Sequence, residues 1–177
     1  MPIKINYKIN SQKNPSKNLV LFADEKFNIS HLKKTLFNSE FSYINDLLKT
    51  SDLKKNFFVF ELSSKKKIVL VSIKKNIATS DIENLGAQLY ERISYGKNSE
   101  YFLNSDSITH NNKSFLGHFL HGLKLKSYEF NKYKSKKDTR LININVIGNK
   151  IKSLLNNKLK FEALEEGTFY TRDLVSE

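Results

Sequence analysis

The sequence of 177 residues contains no cysteine. That absence excludes disulfides, thiolate zinc sites and cysteine nucleophiles, and it suits a reducing compartment. Glycine is scarce as well: 6 in the chain leave main-chain amides few places to cradle a pyrophosphate. Gly117 and Gly122 stand ahead of Lys124, but Leu123 separates glycine from lysine and no Ser or Thr follows the lysine. A helical pattern surrounds the segment, so it is not a phosphate loop. Long apolar runs are missing too, and nothing approaches the roughly 18 to 20 residues of a spanning helix. The opening MPIKINYKIN alternates apolar and polar residues, unlike the continuous apolar core of a signal peptide. A cytoplasmic chain with no membrane partner is expected.

Arginine is the remaining shortage. The formal net charge is +12, yet of 30 basic residues only Arg92, Arg140 and Arg172 are arginines. Base reading favours arginine, whose planar fork pairs with guanine edges. The lysines come with 20 asparagines, and Lys, Asn and Ile all have A- and T-rich codons. Genomic composition therefore accounts for the charge first and a nucleic-acid partner second, with any such binding expected to be weak. The run from Tyr128 to Lys137 interleaves aromatic rings with lysines. It suits base stacking in a positive groove, or equally rings anchoring a helix end beside solvated lysines.

What the sequence does contain is period. Ile3, Ile5, Tyr7 and Ile9 alternate with Lys4, Asn6, Lys8 and Asn10, as in a strand with one wet face. Asn14, Pro15 and Ser16 then mark a loop. The unbroken Leu19–Ala23 suits a strand buried on both faces. Phe41, Ile44, Leu47 and Leu48 follow helical spacing, with Asn38 or Ser39 as the cap. Phe57–Leu62 and Ile68–Ile73 read as a hairpin, and Ser80 with Glu83 as a capping box ahead of Ile82, Leu85, Leu89 and Ile93. A short strand near Tyr101–Leu103 precedes a helix opened by Asn112, with the stripe Phe115, Leu116, Phe119, Leu120 and Leu123. Leu141, Ile142, Ile144 and Val146 give a last strand, ended by Gly148. From Lys150 to Ser176 one long helix or two joined ones carry Ile151, Leu154, Leu155, Leu159, Leu164, Tyr170 and Leu174, weakened at Asn156, Asn157 and Gly167. That stripe is longer than one small sheet covers. Together these elements predict an α/β fold, a three-layer sandwich with a central mixed sheet and a long C-terminal helix.

Candidate chemistry is thin. His118 and His121, three apart on a predicted helix, place two imidazoles on one face, but no third ligand or His-Glu-x-x-His pattern accompanies them. A packed or solvated helix face is the expectation. His31 and His110 stand alone in loop-like surroundings. Glu162, Glu165, Glu166, Asp173 and Glu177 scatter around the tail helix as a charged outer face, rather than converging on metals. No Gly-x-Ser-x-Gly elbow occurs. No catalytic and no metal-ligating residue is expected.

Two stretches carry a family resemblance. Gly117 through Lys137 (GHFLHGLKLKSYEFNKYKSKK) resembles the leucyl aminopeptidase segment in which a glycine-and-leucine-rich helix runs into Tyr-x-Phe-x-x-Tyr-Lys-x-Lys, matched at Gly122, Leu123, Tyr128, Phe130, Tyr133, Lys134 and Lys137. Ala163 through Glu177 (ALEEGTFYTRDLVSE) is similar to the family's Glu-Gly…Ala-Arg-Asp-Leu-Val-Asn-Glu-Pro stretch, matched at Glu166, Gly167, Arg172, Asp173, Leu174, Val175 and Glu177, with Ser176 in place of Asn. The resemblance implies the family's N-terminal domain, macro-domain-like, over residues 1–148. A helix and connector over residues 149–177 would then lead to a separate catalytic domain. It further implies a parent metalloaminopeptidase, usually a homo-hexamer, whose two zinc, manganese or magnesium ions lie in that other domain. The family's metal-binding segments, Lys-Gly-x-x-Phe-Asp-Ser-Gly-Gly and Asn-Thr-Asp-Ala-Glu-Gly-Arg, are absent here. A non-catalytic assembly domain is therefore expected, with a basic nucleic-acid-binding module as the alternative.

Overall fold

A computed structural model describes residues 3–9, 17–95, 99–110, 112–129 and 141–176. Six strands, β1 (Ile3–Lys8), β2 (Asn18–Asp24), β3 (Phe57–Ser63), β4 (Lys66–Ile73), β5 (Glu100–Asn104) and β6 (Ile142–Ile147), form one sheet in the order β1-β6-β5-β2-β4-β3. All neighbours are parallel except β3, which pairs antiparallel with β4 at the edge. The helices are α1 (Asn38–Thr50), α2 (Thr79–Ser94), α3 (Phe115–Lys126), α4 (Ile151–Leu155) and α5 (Lys158–Ser176), with short 3-10 turns at Ser30–Lys34 and Ser105–Ser107.

The central strands are apolar on both faces because both are covered. Leu19, Leu21 and Ala23 of β2 join Ile44 and Leu48 of α1 in one cluster, while Val20 and Phe22 join α2 and α3 in the other. One residue of register separates the two sets, as the alternation of a strand requires. This is the mixed-sheet α/β sandwich that the periodicity predicts. At the edge, β1 turns Ile3, Ile5 and Tyr7 to the core and leaves Lys4 and Lys8 exposed, but Ile9 falls beyond the strand and is exposed.

Helix starts differ from expectation. The first residue of α1 is Asn38 and its cap is Phe37, whose N–H donates to Glu40 Oε2 at 3.3 Å. Glu40 also pairs with the buried Lys66 of β4. Ser80 and Glu83 make no capping box, because α2 begins at Thr79 and Glu83 is engaged by α3. Asn112 builds the turn before α3, accepting from the Ser114 N–H at 2.9 Å, and the helix itself starts at Phe115. Its stripe of Phe115, Leu116, Phe119, Leu120 and Leu123 is buried as expected.

Helices α2 and α3 cross at main-chain contact. A Cβ on Gly122 would lie 1.9 Å from the Glu83 carbonyl oxygen, and one on Gly86 would lie 1.9 Å from that of Phe119. Only glycine lets the two backbones approach this closely.

The tail is two helices. Ile151 and Leu154 of α4 enter the core, but α5 buries Phe161, Glu165 and Phe169. Leu155, Leu159, Leu164, Tyr170 and Leu174, the expected continuation of the stripe, are exposed. Aromatic residues spaced four apart win the inward face because they meet α3, while the leucines lie on other sides of the helix.

Candidate functional site

The two motif stretches meet where α5 lies along α3. The Phe161 ring rests over Gly117, where a Cβ would come within 2.4 Å of Cε2. It stands edge-on to His118, with centroids 5.1 Å apart, and tilted to His121 at 5.6 Å. Beside it, Glu165 is only 4% exposed. Its Oε1 accepts from His121 Nδ1–H at 3.3 Å and its Oε2 from Lys124 Nζ at 2.6 Å. Glu165 is therefore not part of a charged outer face. It is the buried centre of a latch, since a carboxylate inside the protein needs such partners.

Tyr7 of β1 borders the same latch. Burial, then the charges of Glu165 and Glu162, push its phenol up to about 12. One turn along α3, His118 Nδ1–H donates to Glu83 of α2 at 2.9 Å.

At the far end of the seam Tyr128 stacks on Phe169, with centroids 5.4 Å apart and planes 12° apart, and donates to Asp173 Oδ1 at 2.5 Å. Arg172 donates to the Leu125 carbonyl at 2.8 Å and lies over the Tyr128 ring. Desolvation and then the Asp173 hydrogen bond raise the Tyr128 phenol above its ordinary value. So Gly122, Leu123 and Tyr128 from one motif and Arg172 and Asp173 from the other contribute to one packed region. Glu166, Leu174 and Val175 face outward, and a Cβ on Gly167 would meet nothing within 4 Å. Phe130, Tyr133, Lys134, Lys137 and Glu177 lie outside the described residues.

The imidazoles are committed to structure. His31 Nε2–H donates to the Phe22 and Ser107 carbonyls at 3.0 and 3.1 Å. His110 Nε2–H donates to the Lys75 carbonyl at 2.7 Å, and its Nδ1 accepts from Asn112 N–H at 3.1 Å. Neither is the isolated loop histidine that the sequence suggests. Among the described residues no three His, Asp or Glu side chains are grouped to hold a metal ion. The nearest donor set, His121 with Glu165, does not fit the zinc, manganese or magnesium that the family resemblance implies, because the Lys124 ammonium occupies the carboxylate's second oxygen.

Elsewhere, two clefts open at the carboxyl ends of the parallel strands. One, of about 580 Å³, lies beyond β2 and β4 and includes Asp24, Glu25, Lys26 and Lys75. The other, of about 360 Å³, lies beyond β5 and β6 and is bordered by Lys113, Lys150 and Lys152. His110 borders both.

The seam residues Phe161, Glu165 and Phe169 escape a sequence reading focused on leucines. Their four-residue spacing opposite His121 and Lys124 was the available signal.

No helix among the described residues is long and apolar enough to cross a membrane. No protein-family model and no curated protein matches the sequence. Solved structures do. A tomato leucine aminopeptidase mutant superposes with a TM-score of 0.69 at 17% identity, over 99% of this chain and 38% of that one. The bottromycin maturation enzyme BotP, in complex with Mn, gives 0.57 at 12% identity over 90% of this chain and 32% of that one. A second BotP structure gives 0.58 at 12% identity. This chain spans well under half the length of each of these enzymes, and it has the fold of the N-terminal region of a leucine aminopeptidase.

Proposed function

We propose that this chain is a non-catalytic domain of an aminopeptidase that releases N-terminal amino acids from peptides with two metal ions, and that it supports folding and assembly. The observation that carries the reading is the fold likeness over 99% of this chain but 38% of the tomato enzyme. The seam adds to it, because both stretches that resemble the family lie along one packed edge. The proposal extends to a cytoplasmic, homo-hexameric parent whose zinc, manganese or magnesium is held by a separate catalytic domain. That domain would dock on the outer side of α5, where Leu159, Tyr170 and Leu174 are exposed along one line of the helix.

The chain with added manganese or zinc is expected to leave a leucine anilide uncleaved. Metal-dependent release of the chromophore, abolished by a chelator and retained through repurification, would overturn the proposal.

A further inference from the structure

In open α/β sheets ligands collect outside the carboxyl ends of the strands, where successive connections leave in opposite directions. Here that point lies between β2 and β5. The chain leaves β2 toward β3 and β4 on one side, and leaves β5 toward β6 on the other. Both clefts open at this end of the sheet, and His110 between them is fixed by the Lys75 carbonyl and the Asn112 amide. Their volumes, about 360 and 580 Å³, suit a small molecule.

Charge separates the two. The larger cleft sets Asp24 and Glu25 against Lys26 and Lys75. Lys113, Lys150 and Lys152 border the smaller one, which no carboxylate lines. Lys150 is pinned at the wall by donating to the Ile108 carbonyl, which holds its ammonium in place. Among the described residues no carboxylate pairs with Lys113 or Lys152. The wall between them is apolar, formed by Ile108, Phe115 and Leu116.

We propose that the smaller cleft binds a phosphorylated small molecule, its phosphate held by Lys113, Lys150 and Lys152 and its organic body lying on Ile108, Phe115 and Leu116. Lysines act on phosphate as point charges, and the apolar wall favours a phosphate ester over the free ion. The site is independent of the seam and of the aminopeptidase reading.

Phenyl phosphate tests this, with inorganic phosphate as the headgroup alone, by titration calorimetry and amide chemical shifts at physiological salt. Phenyl phosphate should bind saturably, shift amides within 108–116 and 149–153, and bind about tenfold more tightly than phosphate, the worth of one buried ring face. A variant with Lys113→Glu and Lys152→Glu should weaken binding by about tenfold or more, on the order of one close charge pair. A control with Lys65→Glu and Lys160→Glu, which changes net charge equally away from the cleft, should bind as the parent does. Equal loss in the control, equal affinity for inorganic phosphate, or no saturable shift would each overturn the proposal.

Discussion

Replacing Gly122 and Gly167 separately by alanine should move stability in opposite directions. Both glycines lie in helices, so alanine gains about 1 kcal/mol of helix propensity at either position. At Gly167 nothing lies within 4 Å of the added methyl, so that gain should survive. At Gly122 the methyl would sit 1.9 Å from the Glu83 carbonyl oxygen, with the Glu83 carbonyl carbon and Cα at 2.5 and 2.6 Å. All three are main-chain atoms, so α2 and α3 must separate, loosening Leu85, Leu89, Phe119 and Leu123 between the sheet and each other. Overpacking of this kind costs about 1 to 3 kcal/mol, and a backbone-to-backbone clash lies at or above the upper end, leaving a net loss of about 2 kcal/mol or more. Urea unfolding followed by circular dichroism measures both variants against the parent. The expected result is a raised midpoint for Gly167→Ala and a lowered one for Gly122→Ala, with similar slopes. Two shifts of the same sign would refute the packing assigned to the α2–α3 crossing.

Glu165→Ala should destabilise by about 3 kcal/mol, because it strands His121 and Lys124 at the seam, and Glu165→Gln by less. Hydrogen exchange should show the loss first in α5, and unchanged exchange there would contradict the latch. Tyr7 bears on alkaline stability. Its folded value of about 12 exceeds the model value of 10.0, so its contribution is intact below pH 10 and is lost as pH rises toward 12. The two-unit difference corresponds to about 2 to 3 kcal/mol, and Tyr7→Phe should flatten alkaline denaturation by that order; an identical alkaline midpoint would count against it. DNA binding, if it occurs, should be sequence-blind and fall steeply with salt. Submicromolar preference for one sequence over scrambled DNA at physiological salt, removed by charge reversal at Lys132, Lys134, Lys136 and Lys137, would favour the nucleic-acid module instead.

By itself the sequence determined the layers. Periods of two and of helical spacing are local properties, so Leu19–Ala23, the hairpin strands and the α3 stripe announce their elements without knowledge of their neighbours. The resemblance was equally legible, because Gly122, Tyr128, Arg172 and Asp173 lie in contiguous stretches. Tertiary structure decided which face of α5 turns inward. Leucines and aromatics occupy different sides of that helix, and only the position of α3 selects Phe161 and Phe169. The same contact converts Glu165 from one of several tail carboxylates into a buried anion, because its partners lie more than forty residues away. Glu83 belongs with them: its spacing from Ser80 signals a cap, yet His118 approaches from another helix and takes it. The clefts were invisible in sequence for the same reason. They are made by strand ends that only the order of the sheet brings side by side.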